Sequence, residues 1–269
     1  HARPVIVPGR ITEVRLSVGN YETGFGVQIW KNYEDGMRIF LRDPSGDAEF
    51  ELLPMRGTDR IRIGETELLI YYGEPSPFNA AQEIYIEFVP EQAYVESGIW
   101  IFRFLGKGRE DTYVDLWLPS SAALGQNTAF LEPSPETTLT IPSTAFRPLT
   151  VGAYDSRTGI YAPFSGRGDT RIYHAQKPDL AAPGVGIMAP KSGGGYEAVT
   201  GTSFAAPLVA GAAALLMEWG IVRGNDPYLY GEKVKAYLRK GAKRLPSELE
   251  YPNPRLGYGA LCVSESIPE

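Results

Sequence analysis

The sequence predicts two folded regions of different class, an all-β sandwich followed by an α/β region that contains a buried helix. From Pro8 to Pro119, short segments of alternating apolar and polar residues are separated by turn residues. After Ser203, a long run of Ala, Leu and Val carries no charge until Glu218, which is typical of a buried helix. Between the two regions, residues 119–143 are rich in Pro, Ser, Thr and Glu, which indicates an ordered connector.

The N-terminal region shows the two-residue period of β-strands and no helical period. Its alternating segments are 11–18, 26–30, 37–41, 61–63, 67–72, 83–88, 100–105 and 113–118. Turn residues intervene at 43–46, 72–75 and 106–108. Antiparallel strands without helices between them pack as two sheets, so we expect this region to be a jelly-roll β-sandwich.

The C-terminal region reads as part of an α/β fold. Residues 148–154 form a short apolar run that is typical of a buried strand, and 177–187 form a second one. Residues 228–240 have apolar positions at helical spacing, and Gly241 is a plausible helix end. These segments predict a parallel sheet that packs against the helix after Ser203.

Ser203 is the candidate catalytic residue because of its position at the start of this helix. The first turn of a helix has unpaired backbone N–H groups and the positive end of the helix dipole, which stabilise developing negative charge. Such a position suits acyl transfer. We expect Pro207 to be tolerated because the first turn needs no N–H donor.

Residues 201–211 read Gly-Thr-Ser-Phe-Ala-Ala-Pro-Leu-Val-Ala-Gly, which closely resembles the serine motif of the subtilisin-like proteases (subtilases, peptidase family S8). An ordinary capped Ala-rich helix would explain the alanines, but not the Gly-Thr-Ser start or the spacing of the proline and the second glycine. The resemblance implies a subtilisin-like fold and a serine endopeptidase in which Ser203 is the nucleophile.

The resemblance extends from about residue 145 to 262. Segments that resemble those preceding the serine in subtilases, in the same order, are 150–155, 163–168 and 177–184, and 257–259 resembles the closing strand. The all-β part is similar to the jelly-roll insertion of the clostridial germination-protease (Csp) group. Residues 117–119 and 138–145 resemble the segment that returns from this insertion. The implied layout is the end of an N-terminal catalytic segment (1–8), the jelly roll and connector (9–143), and the C-terminal catalytic part (144–269).

The alignment on residues 150–153 also implies a position for the primary specificity pocket. The residues that match its wall are Thr140, Ile141, Pro142 and Ser143. A threonine at the pocket floor leaves less depth than a glycine, so we expect a preference for small or medium residues before the cut. The same layout places the jelly roll at the rim of the pocket, where it restricts substrate access.

Other triad members are not recognisable in the sequence. Nothing before Ser203 resembles the Asp motif, the His motif or the oxyanion asparagine segment of subtilases, and the two histidines, His1 and His174, lack the family's His-Gly-Thr neighbourhood. We therefore interpret the chain as the C-terminal portion of a protease, inactive alone. Its expected partners are a peptide or protein substrate and the missing N-terminal half.

Two alternatives from other classes stay open. A pseudoprotease or regulatory scaffold would keep Ser203 but act by binding. A carbohydrate-binding jelly roll would present aromatic faces, for which the candidates are Trp30, Tyr33, Trp100 and Trp117, although filling the sandwich core is the favoured explanation of these residues.

Composition excludes several classes of partner and cofactor. A net charge of −6 and a pI of about 5.2 argue against nucleic acid, and we see no apolar run of about 20 residues for a membrane. No metal or cofactor is evident; Asp43, Asp47 and Glu49 suggest a solvated turn rather than a structural calcium site. The single cysteine, Cys262, excludes an intrachain disulfide. Cytoplasmic, spore-associated and secreted locations all stay open.

Overall fold

The structure is a computed structural model that describes residues 1–54, 57–77, 79–168 and 176–268. The chain divides into two compact units, His1–Ser134 and Pro135–Glu269. The division lies earlier in the sequence than the boundary expected at residue 143. We call these parts unit 1 and unit 2.

Unit 1 consists of β-strands joined by turns and loops. Its strands are β1 (Val5–Ile6), β2 (Ile11–Val18), β3 (Phe25–Asn32), β4 (Met37–Arg42), β5 (Glu49–Leu52), β6 (Gly57–Ile63), β7 (Thr66–Tyr72), β8 (Ala81–Pro90), β9 (Gly98–Gly106), β10 (Thr112–Tyr113), β11 (Asp115–Trp117) and β12 (Ala129–Phe130). The alternation of buried and exposed residues along β3, β8 and β9 matches the period that predicted them.

Two antiparallel five-stranded sheets enclose one apolar core in unit 1. The strand orders are β11-β3-β8-β7-β6 and β12-β2-β9-β4-β5. Early strands pair with late ones along their whole length, β2 with β9 and β3 with β8. The hairpins β4–β5 and β6–β7 each stay within one sheet. The predicted all-β region is therefore a two-sheet sandwich.

The first residues of the chain are part of this sandwich. Strand β1 pairs with β10, and Ile6 is fully buried in the core. The backbone N–H of Ser134 donates to the carbonyl oxygen of His1 at 2.8 Å, so the two ends of unit 1 lie side by side. Residues 1–8, which the sequence comparison assigned to the catalytic part, thus contribute strands and core to unit 1.

The aromatic residues of unit 1 divide between the core and the surface. Trp100 is fully buried and packs edge-on against Phe88, so the suggestion that it offers a sugar-stacking face is wrong. Trp30 and Trp117 are half-buried, and Tyr33 is 48% exposed. A fully buried side chain of the size of Phe stabilises the fold by about 1.5–3 kcal/mol, and this burial accounts for Trp100 without a ligand.

Unit 2 combines short strands with helices. Its elements are β13 (Val151–Asp155), β14 (Ile160–Tyr161), β15 (Leu180–Pro183), β16 (Ile187–Pro190), β17 (Tyr196–Val199), α1 (Thr202–Met217) with a π-helical turn (Glu218–Val222), α2 (Gly231–Lys240) and α3 (Val263–Ser266). β13 and β15 are parallel, as expected from the apolar runs, and β14 joins β13 in antiparallel orientation. β16 and β17 form a separate hairpin that precedes α1.

Helix α1 is apolar on every side, but only one stripe of it is buried. The buried residues of the stripe are Ala205, Val209, Ala212 and Leu216, and they join Ala153, Leu180 and Ala182 of the sheet in one core. Leu208 and Leu215 on other faces are 40% and 48% exposed. The prediction of a buried helix is therefore correct for one face only.

Two further sequence expectations need correction. By length and composition, Thr202–Val222 is long and apolar enough to cross a membrane, with 28% of its most apolar part buried; the expectation of no such run is wrong. Residues 257–259 do not form a closing strand. Instead Ala181 donates to the carbonyl of Gly259 and accepts from the N–H of Leu261, at 2.9 and 2.7 Å, so only an isolated pairing closes this side of the sheet.

Candidate active site

Ser203 lies in the first turn of helix α1, as the sequence predicted. Helix α1 begins at Thr202, and the side chain of Ser203 is exposed. Gly201, two residues before Ser203, has a φ of 154°, a backbone conformation that residues with a Cβ adopt rarely. This glycine lets the chain turn sharply from the β16–β17 hairpin into the helix and presents the serine at the helix start.

Two hydrogen bonds, each donated by a backbone N–H group, hold this turn to the segment that follows β15. The N–H of Gly201 donates to the carbonyl oxygen of Gly184 at 2.8 Å, and the N–H of Gly186 donates to Thr200 Oγ1 at 3.0 Å. Gly184 has no room for a side chain, because an added Cβ would lie 2.7 Å from Ala153 Cβ and 3.1 Å from the Gly201 carbonyl oxygen. The position of Ser203 therefore depends on close backbone contact at Gly184.

The electrostatic setting of Ser203 favours negative charge. Helix α1 carries no acidic residue in its first turn, and no side chain caps its N-terminus. The positive end of the helix dipole is thus not neutralised locally. Pro207 lies inside the helix rather than in its first turn, which corrects the expectation from sequence, and it removes the N–H donor that the carbonyl of Ser203 would otherwise receive.

The four proposed pocket residues lie on one irregular segment of unit 2. Thr140 and Pro142 are exposed, Ile141 is 88% exposed, and Ser143 is half-buried. The carbonyl oxygen of Ser143 accepts a hydrogen bond from Thr150 Oγ1 at 2.7 Å. The structure thus gives this segment a surface position and one fixed point at its end, and its role as a pocket wall stays a prediction.

Neither histidine is identified as a general base for Ser203 in the part of the chain that the structure describes. His174 lies outside the described residues. The His1 side chain is 1% exposed, its Nε2 lies 3.0 Å from Asp115 Oδ1, and its ring stacks on Trp117 with centroids 4.7 Å apart. All three residues belong to unit 1, where this contact stabilises the sandwich.

The suggested calcium residues form a turn. Asp43 Oδ1 accepts the N–H groups of Gly46 and Ala48, both at 3.1 Å, and the Ser45 hydroxyl donates to its other oxygen. In the part of the chain that the structure describes, no three His, Cys, Asp or Glu side chains are grouped to hold a metal ion. The carboxylate of Asp43 therefore caps a loop.

Sequence reasoning missed a buried group of charged side chains in unit 2. Lys177, Asp179 and Lys235 are 2%, 0% and 5% exposed, and the two lysine ammonium groups lie 3.0 and 3.2 Å from the Asp179 carboxylate. Burial lowers the pKa of Lys177, an effect that the Asp179 carboxylate opposes. The sequence contains one signal for it, since Lys235 and Arg239 lie one helical turn apart beside the apolar positions Val234 and Leu238.

Comparison with known proteins identifies the family. The sequence pattern of the Peptidase_S8 family, the subtilase family, matches residues 121–259, more than half of the 269 residues. The chain is similar to the serine protease AprX of Bacillus subtilis (strain 168), with 32% identity over 152 residues, 49% of the chain and 32% of AprX. It is also 50% identical over 62 residues to the subtilisin-like protease SBT3.5 of Arabidopsis thaliana, covering 20% of the chain and 8% of that protein.

A solved structure resembles nearly the whole chain. The CspB protease of Clostridium perfringens matches with a TM-score of 0.89 and 35% identity, over 98% of the chain and 55% of CspB. The chain therefore spans about half of CspB and about a third of AprX. The match includes unit 1 as well as unit 2, because it covers more than the subtilase pattern alone. The chain belongs to the subtilase family and is of the Csp type.

Proposed function

We propose that the chain is the serine-bearing part of a subtilisin-like endopeptidase in which Ser203 is the nucleophile. The observation that carries this proposal is the exposed Ser203 at the start of α1, held by the turn between Gly184 and Gly201. The substrate class is a peptide or protein. CspB and AprX are called proteases, and family membership supports the same activity for this protein.

The proposed reaction begins with attack of Ser203 Oγ on the carbonyl carbon of the peptide bond. A new C–O bond forms, the carbonyl π electrons move to oxygen, and the serine proton goes to a general base. The backbone N–H groups of the first turn of α1 adjoin Ser203 in the chain and would donate to the oxyanion. Collapse of the intermediate breaks the C–N bond, and the leaving amine takes the proton from the base.

We propose that the base, its orienting Asp and the oxyanion Asn come from an N-terminal half of the same protease. The support is that CspB and AprX are longer than the part this chain matches, and that α1 is apolar on its exposed faces. Core helices of large proteins are apolar all round because they are covered on every side. The N-terminal half is thus the partner that covers Leu208 and Leu215, and the 269-residue chain alone would not hydrolyse peptides.

We also propose that unit 1 is a jelly-roll insertion in the catalytic fold, with residues 144–269 as the C-terminal catalytic part. Inserted domains have neighbouring ends, and the hydrogen bond between Ser134 and His1 satisfies this condition. The pairing of β2 with β9 and of β3 with β8 nests the strands as a jelly roll does. Thr140 to Ser143, which follow unit 1 in sequence, would form the pocket wall.

The test is peptide hydrolysis by the complete protease and its Ser203→Ala variant. We expect the variant to fold normally and to lose activity by about 10⁶-fold, the order of magnitude known for subtilisin, a member of this family. A complete protein that folds, binds a partner and hydrolyses nothing would instead be the pseudoprotease or scaffold. Turnover by the 269-residue chain that Ser203→Ala abolishes would refute the need for the second half.

A further inference from the structure

Three buried charged residues and one hydroxyl in unit 2 form what we call the anchor cluster: Lys177, Asp179, Lys235 and Thr150. All four residues are buried. The Asp179 carboxylate joins them, since Oδ2 accepts from Lys177 Nζ at 3.0 Å and from the Thr150 N–H at 2.6 Å, and Oδ1 lies 3.2 Å from Lys235 Nζ. Arg239, on the next turn of α2, donates to the same Oδ1.

The two lysines donate most of their hydrogen bonds to one loop. An ammonium group has three N–H donors. Besides Asp179, Lys177 Nζ donates to the Pro148 carbonyl at 2.5 Å and to Thr150 Oγ1 at 3.0 Å. Lys235 Nζ donates to the carbonyl oxygens of Phe146 and Pro148 at 2.9 and 3.5 Å.

The loop that receives these bonds, residues 143–150, has little structure of its own. It forms no helix or strand, and residues 145–148 are exposed. Before Thr150, its one backbone–backbone hydrogen bond among the described residues is from the Ala145 N–H to the Pro142 carbonyl at 3.0 Å. The Thr150 hydroxyl completes the set by donating to the Ser143 carbonyl at 2.7 Å. The cluster therefore fixes this loop at Ser143, Phe146 and Pro148.

Stability alone does not account for this arrangement. In the described part of unit 2, three cationic side chains contact the single carboxylate of Asp179, and burying charge carries a desolvation cost that apolar residues of similar size avoid. The remaining positive charge is satisfied by backbone carbonyl dipoles of the loop. The cluster therefore fixes the geometry of the loop in spite of this desolvation cost.

We propose that the anchor cluster positions the wall of the substrate pocket, with Lys177, Lys235 and Thr150 as positioning residues. The loop continues without a break from Thr140, Ile141, Pro142 and Ser143, which are the proposed wall. Fixing the Ser143 carbonyl fixes the end of that wall, and helix α2 thereby controls recognition of the residue before the cut. The inference rests on the proposed function for the pocket, whereas the anchoring itself does not.

The anchoring is tested by hydrogen exchange on the 269-residue chain, without any activity. Thr150→Val removes the hydroxyl and keeps the shape, Thr150→Ser restores the hydroxyl, and Lys235→Met removes the second anchor. We expect the amides of Ala145 and Thr150, which donate to the Pro142 carbonyl and to Asp179 Oδ2, to exchange at least about tenfold faster in Thr150→Val and Lys235→Met, with α1 and unit 1 unchanged. Thr150→Ser and the exposed control Lys240→Met should match the parent. Unchanged exchange in both variants would overturn the proposal.

The positioning is tested by kinetics of the complete protease on peptides that differ before the cut. Thr150→Val and Lys235→Met should raise KM about tenfold and flatten the preference between residues, with kcat within about twofold and Thr150→Ser like the parent. Faster exchange with an unchanged KM and preference would overturn the positioning role and leave a purely structural one. If the parent hydrolyses nothing, the proposed function fails, and the exchange experiment still decides the anchoring.

Discussion

Single residues differ in how far their roles follow from sequence. The position of Ser203 could be predicted because an uncharged apolar run directly after a Gly-Thr-Ser turn has few structural alternatives. The roles of Lys177 and Lys235 could not, because their partners are backbone carbonyls of a loop that is distant in sequence from α2. Sequence shows which side chains carry charge, but not which carbonyls they reach after folding.

Thr140 is the residue whose substitution tests the pocket assignment. In Thr140→Gly the removed side chain should deepen the pocket, so that kcat/KM for large residues before the cut rises about tenfold relative to small ones. The measurement is the cleavage profile of the complete protease on a peptide library. An unchanged profile would show that Thr140 does not line the floor.

Glu83 gives a prediction about pH. Burial raises the pKa of this carboxyl group above its ordinary value of 4.5, although Gln28 donates a hydrogen bond to it at 3.2 Å. A carboxyl group whose pKa is raised in the folded state contributes most to stability below pH 4.5, its ordinary pKa. This contribution falls as pH rises through the folded pKa. Glu83→Gln should therefore stabilise unit 1 at neutral pH and lose this advantage on acidification.

The check is the thermal unfolding midpoint of parent and variant between about pH 3.5 and pH 8. Glu74→Gln, on an exposed loop, is the control for removal of one charge. A gap between parent and Glu83→Gln that does not change with pH would contradict a raised pKa of Glu83 as the source of the difference.

Among the elements, α1 was correctly predicted to be a helix, but the extent of its burial was not predicted. Its apolar run predicts a helix from Thr202 onward, and the structure has one. The run cannot tell how much of the helix this chain covers itself, because burial depends on neighbours that other segments provide. Helix α2 was predicted from 228 and begins at Gly231, and β5 was missed because its four residues, Glu49–Leu52, are too few to show a clear period.

The two glycines Gly184 and Gly211 test the packing of α1. A Cβ at Gly184 would overlap Ala153, whereas a Cβ at Gly211 would meet nothing within 4 Å. We expect Gly184→Ala to lower the free energy of unfolding of the chain by about 1–3 kcal/mol. Gly211→Ala, inside a helix, should raise it by about 0.5–1 kcal/mol. Denaturant unfolding of both variants measures this.

The same Gly211→Ala variant distinguishes the chain from the complete protease. If the N-terminal half covers the exposed faces of α1, the added methyl group should weaken assembly there while stabilising the chain alone. Equal stabilisation in both forms would mean that nothing packs closely at Gly211.

At the level of the whole molecule, the division into an all-β and an α/β region follows from the sequence because the two hydrophobic periods differ. The boundary does not follow, since connector residues 119–143 show no period, and the structure divides within them, after Ser134. The eight alternating segments are fewer than the ten strands in the two five-stranded sheets of unit 1. Alternation gives strands but not their neighbours, so the β4–β5 and β6–β7 pairings required the structure.

Unit 1 should fold alone because it has its own core and its ends meet. We expect residues 1–134 to give a dispersed NMR spectrum and cooperative unfolding. Ile6→Ala should destabilise this fragment by about 2–5 kcal/mol, because Ile6 is fully buried. A disordered spectrum of the parent fragment would contradict the independence of unit 1.

The central claim, that Ser203 is the nucleophile of a serine peptidase, is tested most directly by covalent labelling of the complete protease with a fluorophosphonate. Mass spectrometry of the digested protein should find one adduct, on Ser203, and none in Ser203→Ala. The 269-residue chain alone should stay unlabelled, because in the proposed function the base that activates the serine comes from the N-terminal half. A complete protein that hydrolyses peptides while its adduct lies on another residue, or that keeps its activity in Ser203→Ala, would contradict the account.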